Sequence, residues 1–129
     1  MSEKIPSSVR KLILILEDND ELVELLKDMM SNRSDEIISV STAEKAQPLL
    51  RERKFDLLIC DLHLPGMSGA EFLNICQAEK ILPKNVMIIS GDIQNPELKP
   101  EFFKQFICLE KPFFVEKFPA LVNEVLSKD

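Results

Sequence analysis

The sequence has no tryptophan, no tyrosine and only one histidine, and it contains no long apolar run. A single histidine rules out a metal site built from several imidazole ligands. Because no apolar run approaches the ~20 residues that cross a bilayer, we expect no membrane-spanning helix and no membrane partner. The first residues, up to Ser8, also lack the apolar region of a secretion signal. The net charge of −6 argues against direct nucleic-acid binding, which needs clustered Lys and Arg.

Cysteine is also scarce, and the three cysteines are Cys60, Cys76 and Cys108. Their number is odd, and their spacing is not that of metal ligands. Since each lies in apolar surroundings, we predict buried thiols in a protein of the reducing cytoplasm. A length of 129 residues with 45% hydrophobic residues fits one domain, residues 1–129, with its core at about residues 10–127.

The stretch from Asp56 to Asp61 is the centre of the predicted fold. Its four middle residues are all apolar, which leaves no polar face and is typical of a central strand in a parallel sheet. Asp61 ends the strand, and ligands of open α/β sheets bind at that end. The alternative is that Asp61 caps the next helix, but Ser68 lies closer to the start of that helix.

Strands and helices alternate five times along the chain. The predicted strands lie at residues 11–16, 36–40, 56–61, 86–89 and 106–109. This alternation predicts a parallel sheet with right-handed crossovers and helices on both faces. The apolar face of the first helix is predicted to consist of Leu22, Leu25, Leu26, Met29 and Met30.

Local signals set the predicted helix boundaries. Asn19 or Asp20 is expected to cap the first helix and Thr42 the second, with Ala43, Ala46, Leu49 and Leu50 facing inward. Pro48 should kink the second helix or delay its start, and Pro119 should delay the last one. Pro96 and Pro100 lie four residues apart, so no long regular helix is expected between residues 92 and 105.

Polar residues end four of the five predicted strands. They are Glu17 and Asp18 after the first strand, Asp61 at the third, Ser90 at the fourth and Lys111 after the fifth. Because strand ends converge in a parallel sheet, three carboxylates should meet, and each would raise the pKa of its neighbours. Magnesium would relieve this repulsion. With a lysine, a hydroxyl and the small Gly91 beside them, the set describes a phosphoryl-transfer site with a carboxylate nucleophile.

At these residues the sequence resembles the receiver domain of two-component response regulators, the CheY-like family, from about Lys11 to Leu126. The resembling motifs are Glu17-Asp18, Asp61 with the Leu-Pro-Gly-Met-Ser-Gly of residues 64–69, Ser90-Gly91, and Lys111-Pro112-Phe113. The resemblance implies a flavodoxin-like, doubly wound sheet with strand order 2-1-3-4-5.

The resemblance also implies a signalling phosphoacceptor rather than an enzyme. Asp61 would accept phosphate from a phosphohistidine on a sensor histidine kinase or phosphotransfer protein, and the domain would then act on an output domain or partner protein. Ser90 and Lys111 would bind the phosphoryl oxygens. Magnesium would be held by Asp18, Asp61 and the main-chain carbonyl of His63, with Glu17 acting through water. A cis bond is implied before Pro112.

One departure from the family pattern bears on the output. Receivers usually carry an aromatic switch residue three positions before the lysine, and here Cys108 stands at that position. A phosphate-independent interaction module, or pseudo-receiver, therefore remains an alternative. A dehalogenase-type phosphatase would need a second aspartate where His63 stands. A flavodoxin has the same architecture, but the acidic residues Glu17, Asp18 and Asp20 would repel the phosphate of a bound flavin.

Overall fold

The fold is known from a computed structural model, which describes residues 10–91, 104–111 and 114–127. The strands are β1 (Leu12–Leu16), β2 (Glu36–Val40), β3 (Leu57–Asp61), β4 (Val86–Ser90) and β5 (Ile107–Glu110). The helices within the described ranges are α1 (Asp20–Met29), α2 (Ala43–Glu52), α3 (Gly69–Glu79) and α4 (Phe114–Leu126). The predicted strands are therefore confirmed, and no strand end differs from its prediction by more than one residue.

The five strands form one parallel sheet in the order β2-β1-β3-β4-β5, as predicted. All five residues of β3 are buried, as are all five of β4, because both strands are covered on two faces. The order reverses between β1 and β3, which are neighbours in the sheet. In doubly wound folds, ligands bind beyond the strand ends at this reversal, where Asp61 lies.

Two apolar clusters cover the two faces of the sheet. The cluster on the side of α1 and α4 includes Ile13, Ile15, Leu26, Leu57, Ile59, Phe118 and Val122. The cluster on the side of α2 and α3 includes Leu14, Leu16, Ala46, Leu58, Cys60, Phe72 and Leu73. Successive residues of β1 and β3 thus point to opposite clusters, so each strand joins both halves of the core.

Capping residues begin three helices where the sequence predicted them. The side chain of Asn19 accepts a hydrogen bond from the backbone of Leu22, and that of Thr42 accepts one from Lys45. Ser68 likewise caps α3. Asp61 is not a helix cap, so its carboxylate is available for another role.

The predicted face of α1 was partly wrong. Val23 is buried and Leu25 is 39% exposed, whereas the apolar pattern favoured Leu25. Val23, Leu26 and Met30 are spaced by three and four residues, so they share the stripe that faces the sheet. Leu25 lies a quarter-turn or more from this stripe, and its apolar character alone could not show that.

The two prolines did not delay their helices. Pro48 lies inside α2, which begins at Ala43, and Pro119 lies inside α4, which begins at Phe114. Each proline removes one backbone donor, but the buried residues beside it hold the helix against the sheet. The predictions for Pro96, Pro100 and Pro112 lie outside the described residues.

The cysteines agree in part with the prediction. Cys60 and Cys76 are buried, whereas Cys108 on the outer strand β5 is only half-buried. All three lie in the described ranges, and none forms a disulfide. Among the described residues, no helix is both long and apolar enough to cross a membrane.

Candidate functional site

The carboxyl edge of the sheet brings together side chains from three strand ends. Glu17 follows β1, Asp61 ends β3, and Lys111 follows β5. Glu17 and Lys111 lie far apart in sequence, yet their side chains meet. The parallel pairing of β1 with β3, and of β3 with β5 through β4, produces this convergence.

Asp61 is the buried centre of the site, with 4% of its surface exposed. Its Oδ2 accepts a hydrogen bond from Lys111 Nζ at 3.0 Å. Its Oδ1 accepts one from the backbone nitrogen of His63 at 3.0 Å. Both carboxylate oxygens are therefore engaged, which fixes the orientation of the group. Hydrogen bonds of this kind are stronger than neutral ones because one partner is ionised.

Glu17 also contacts the Lys111 ammonium group. Its Oε1 is 3.6 Å from Lys111 Nζ, and its Oε2 accepts a hydrogen bond from the backbone of Asn19 at 3.1 Å. Burial, and then the charge of Asp61, raise the pKa of Glu17 to about 7. The site therefore holds more negative charge than Lys111 can balance.

The pKa of Lys111 is also raised. Burial lowers the pKa of Lys111, but the hydrogen bond to Asp61 and the charges of Asp61 and Glu17 outweigh that effect, so the pKa lies above its ordinary value. The lysine is thus a fixed positive charge at neutral pH.

Three of the four predicted metal ligands meet as a cluster of carboxylates. Oxygens of Glu17, Asp18 and Asp61 all lie within 4.8 Å of one another. Asp18 is exposed, whereas the other two side chains are buried, so the cluster opens to solvent at Asp18. Three hard oxygen donors with a solvent-facing side suit a magnesium ion that retains part of its water shell. The donor set therefore fits the ion that the sequence predicted.

Ser90 and Gly91 border the same edge. Ser90 is fully buried, and its carbonyl accepts a hydrogen bond from the backbone of Lys111 at 3.0 Å. Asp61 pairs with Ile89, so Ser90 lies one step beyond it on the neighbouring strand. Within the part of the chain that the structure describes, a Cβ atom placed on Gly91 would meet nothing within 4 Å. Among the described residues, none therefore fills the space at Gly91, next to the serine in sequence.

The sequence matches the family described as the response regulator receiver domain over residues 13–123. The chain belongs to this family. Two-component response regulator ARR14 of Arabidopsis thaliana is 33% identical over 94 residues, which make up 70% of this chain and 24% of that protein. Response regulator protein FleR of Pseudomonas aeruginosa is 36% identical over 84 residues, 64% of this chain and 18% of that protein. The chain thus spans a quarter or less of the length of these relatives.

Solved receiver domains share the fold. The receiver domain of Francisella response regulator 1452 superposes with a TM-score of 0.78 at 21% identity, covering 92% of this chain and 98% of that chain. The receiver domain of the hybrid histidine kinase CckA gives a TM-score of 0.70 at 26% identity, covering 89% of this chain and 98% of that chain.

Gly69 allows a close backbone contact next to Asp61, which the sequence analysis missed. A Cβ atom at Gly69 would lie 2.3 Å from the carbonyl oxygen of Asp61 and 2.7 Å from Cα of Leu62. Only glycine lets the start of α3 pack so closely against the end of β3. The glycine beside the Ser68 cap was the available signal, but spacing alone did not reveal the close approach.

Cys108 stands where receivers usually carry an aromatic residue. It is half-buried on β5 and pairs with Ile88 of β4, two residues before Ser90. Burial raises the pKa of its thiol. The side chain packs at the border of the cluster on the α2 and α3 side. A small thiol therefore lies on β5, three positions before Lys111.

Proposed function

We propose that this receiver domain is phosphorylated on Asp61 by a phosphohistidine of a sensor kinase or phosphotransfer protein, and that phosphorylation changes its contacts with an output domain or partner protein. The observation that carries the proposal is the buried Asp61 carboxylate, 3.0 Å from Lys111 Nζ and clustered with two further carboxylates. A nucleophile beside a fixed cation is what phosphoryl transfer needs.

Asp61 supplies the attacking oxygen. A carboxylate oxygen forms the new bond to phosphorus while the bond from phosphorus to the donor imidazole nitrogen breaks, and that nitrogen leaves with the bonding electrons. Lys111 compensates the negative charge of the transferred oxygens. Ser90 lies one step beyond Asp61 on the neighbouring strand, and its hydroxyl would donate a hydrogen bond to them, with Gly91 leaving room for them.

Magnesium is the proposed cofactor of this step. Asp18, Asp61 and the main-chain carbonyl of His63 would hold the ion directly, and Glu17 would act through water. When bound, the ion would neutralise part of the negative charge of the carboxylates and of the phosphoryl oxygens. The backbone nitrogen of His63 meanwhile keeps Asp61 oriented through its 3.0 Å hydrogen bond.

Labelling with a small phosphodonor such as acetyl phosphate tests the assignment of Asp61. The wild-type chain should gain an acid-labile acyl phosphate that requires magnesium, and Asp61→Asn should lose it. Asp28→Asn is the matched control, because Asp28 is an exposed carboxylate of α1 away from the site. Undiminished labelling of Asp61→Asn would contradict the assignment. Absence of labelling in the wild type would instead favour a phosphate-independent interaction module.

A further inference from the structure

An open cleft of about 500 Å³ lies at the opposite edge of the sheet from Asp61. Residues 50–56, which lead from α2 into β3, form one wall, and residues 80–85, which lead from α3 into β4, form the other. We name it the amino-edge cleft, because it borders the amino ends of β3 and β4. Its walls are joined by a hydrogen bond of 3.2 Å from Asn85 Nδ2 to the carbonyl of Asp56.

The rim of the amino-edge cleft is basic. Five of the 16 Lys and Arg residues of the chain line it, namely Arg51, Arg53, Lys54, Lys80 and Lys84. The two acidic residues of the lining are Glu52 and Asp56, and Asp56 is engaged with the backbone of Leu12 at 2.8 Å. A local excess of positive charge in a chain of net charge −6 marks this surface as different from the rest.

The floor of the cleft is apolar. Leu50 and Phe55 are buried, and Ile81, Leu82 and Pro83 are half-buried along the second wall. A second groove of about 320 Å³ shares Lys80, Leu82, Pro83 and Lys84 with the first, and it continues towards Phe106. The basic and apolar surface therefore extends on both sides of the loop between α3 and β4.

The cations of the rim are held in different ways. Arg51 pairs with Glu79 at 3.0 Å, and Arg53 pairs with Glu36 at 3.3 Å. Lys54 and Lys80 are exposed, and neither forms an ion pair with any residue in the described ranges. Lys80 also has a left-handed backbone, with φ of 62°, at the end of α3 where glycine is the usual residue.

We propose that the amino-edge cleft binds an acidic peptide segment of a partner protein, with an apolar side chain of that segment on the floor and its carboxylates at Lys54 and Lys80. Charge complementarity and the length of the surface carry this inference. The cations stand on an exposed rim, and Arg51 and Arg53 are paired with different carboxylates, so the surface suits an extended chain better than a small anion. Its place at the edge opposite Asp61 leaves the phosphorylation site accessible.

Fluorescence anisotropy with a labelled synthetic peptide tests this proposal. In the peptide, a leucine and a phenylalanine are flanked by glutamates. The double variant Lys54→Gln with Lys80→Asn removes two rim charges, and asparagine tolerates the left-handed backbone at residue 80. Binding should weaken about ten-fold, since exposed ion pairs contribute modestly and two are lost. The charge-matched control is Lys45→Gln with Lys117→Gln, on α2 and α4, and it should retain wild-type affinity.

Amide chemical shifts locate the bound peptide in the wild-type domain. The expected result is a set of changes centred on residues 50–56 and 80–85, with none at Asp61. Equal weakening in both double variants, or shifts confined to the Asp61 edge, would overturn the proposal. Competition by pyrophosphate at equal concentration would also overturn it in favour of a small-anion site. Binding to anionic lipid vesicles but not to the peptide would overturn it in favour of a membrane surface.

Discussion

Glu17 and Asp18 are adjacent in sequence, but the fold gives them different surroundings. Glu17 is buried against Asp61 and Lys111, whereas Asp18 is exposed at the open side of the carboxylate cluster. The buried group carries the cost of desolvation, and its pKa rises to about 7. Asp18 is exposed, so its carboxylate does not carry this desolvation cost before an ion binds.

This difference makes the stability of the metal-free domain depend on pH. Glu17 has a folded pKa of about 7 against an ordinary value of 4.5, so between these values the folded state holds a proton that the unfolded chain has released. The contribution of Glu17 to the free energy of unfolding therefore falls as pH rises from about 5 to about 8, by on the order of 2 kcal/mol. In urea unfolding with a chelator present, the free energy of unfolding of Glu17→Gln should rise relative to that of the wild type over that pH range.

Two comparisons make the pH experiment specific. Glu24→Gln removes a carboxylate from the exposed side of α1, and its difference from wild type should stay constant with pH. Magnesium should reduce the advantage of Glu17→Gln above pH 7, because the ion favours the charged carboxylates. If the difference in free energy of unfolding between Glu17→Gln and the wild type became smaller as pH rises, Glu17 would not be a buried carboxylate whose charge is uncompensated.

Magnesium affinity should depend on Asp18 more than on Glu17. The shorter, exposed Asp18 is proposed to contact the ion directly, whereas the proposed contact of Glu17 is through water. Asp18→Ala should therefore weaken binding by more than the ~10-fold typical of an outer ligand, and Glu17→Ala by about that amount. Calorimetric titration measures both, with Asp28→Ala as the control. The reverse order would assign Glu17 as the direct ligand.

At the scale of elements, the contact between α3 and β3 depends on the missing side chain of Gly69. Gly69→Ala would place a Cβ atom 2.3 Å from the carbonyl of Asp61, so the helix or the strand end must move. Overpacking of this kind costs about 1–3 kcal/mol. Gly91→Ala is the matched control at the same edge, because its Cβ would meet no described residue within 4 Å.

Urea denaturation and phosphodonor labelling together would measure this contact. Gly69→Ala should unfold at lower urea concentration and should label more slowly, since Asp61 would be displaced with its carbonyl. Gly91→Ala should unfold like the wild type. If the two variants were equally stable, α3 could move away from β3 without loss of stability, and the close contact at Gly69 would not be required.

At the scale of the whole molecule, the strands connect two apolar clusters into one cooperative unit. Leu126→Ala in the cluster beside α4 and Leu73→Ala in the cluster beside α3 should each cost about 2–5 kcal/mol. In both variants, circular dichroism and the exposure of the Cys60 thiol should report the same unfolding midpoint. Cys60 is buried and its thiol pKa is raised, so it reacts only after the α3 side opens. Separate midpoints would show that the two faces unfold independently.

The sequence by itself determined the strands, their parallel arrangement and the set of residues at the carboxyl edge. Doubly buried strands leave a local signature, four apolar residues in a row, and parallel pairing brings all their carboxyl ends to one edge. Asp61, Glu17 and Lys111 could therefore be assigned to one site without coordinates. Capping side chains act within a single turn, so Thr42 and Ser68 were also predictable from their neighbours.

Only the tertiary structure decided the features that depend on distances between remote residues. The burial of Val23 in place of Leu25 follows from how α1 rotates against the sheet, and the need for Gly69 follows from how closely α3 approaches β3. The raised pKa of Glu17 requires both its burial and the nearby charge of Asp61. The amino-edge cleft joins two loops about 30 positions apart, whose basic residues look like ordinary surface charges in the sequence. Packing sets such distances to fractions of an ångström, and local sequence patterns carry no information at that scale.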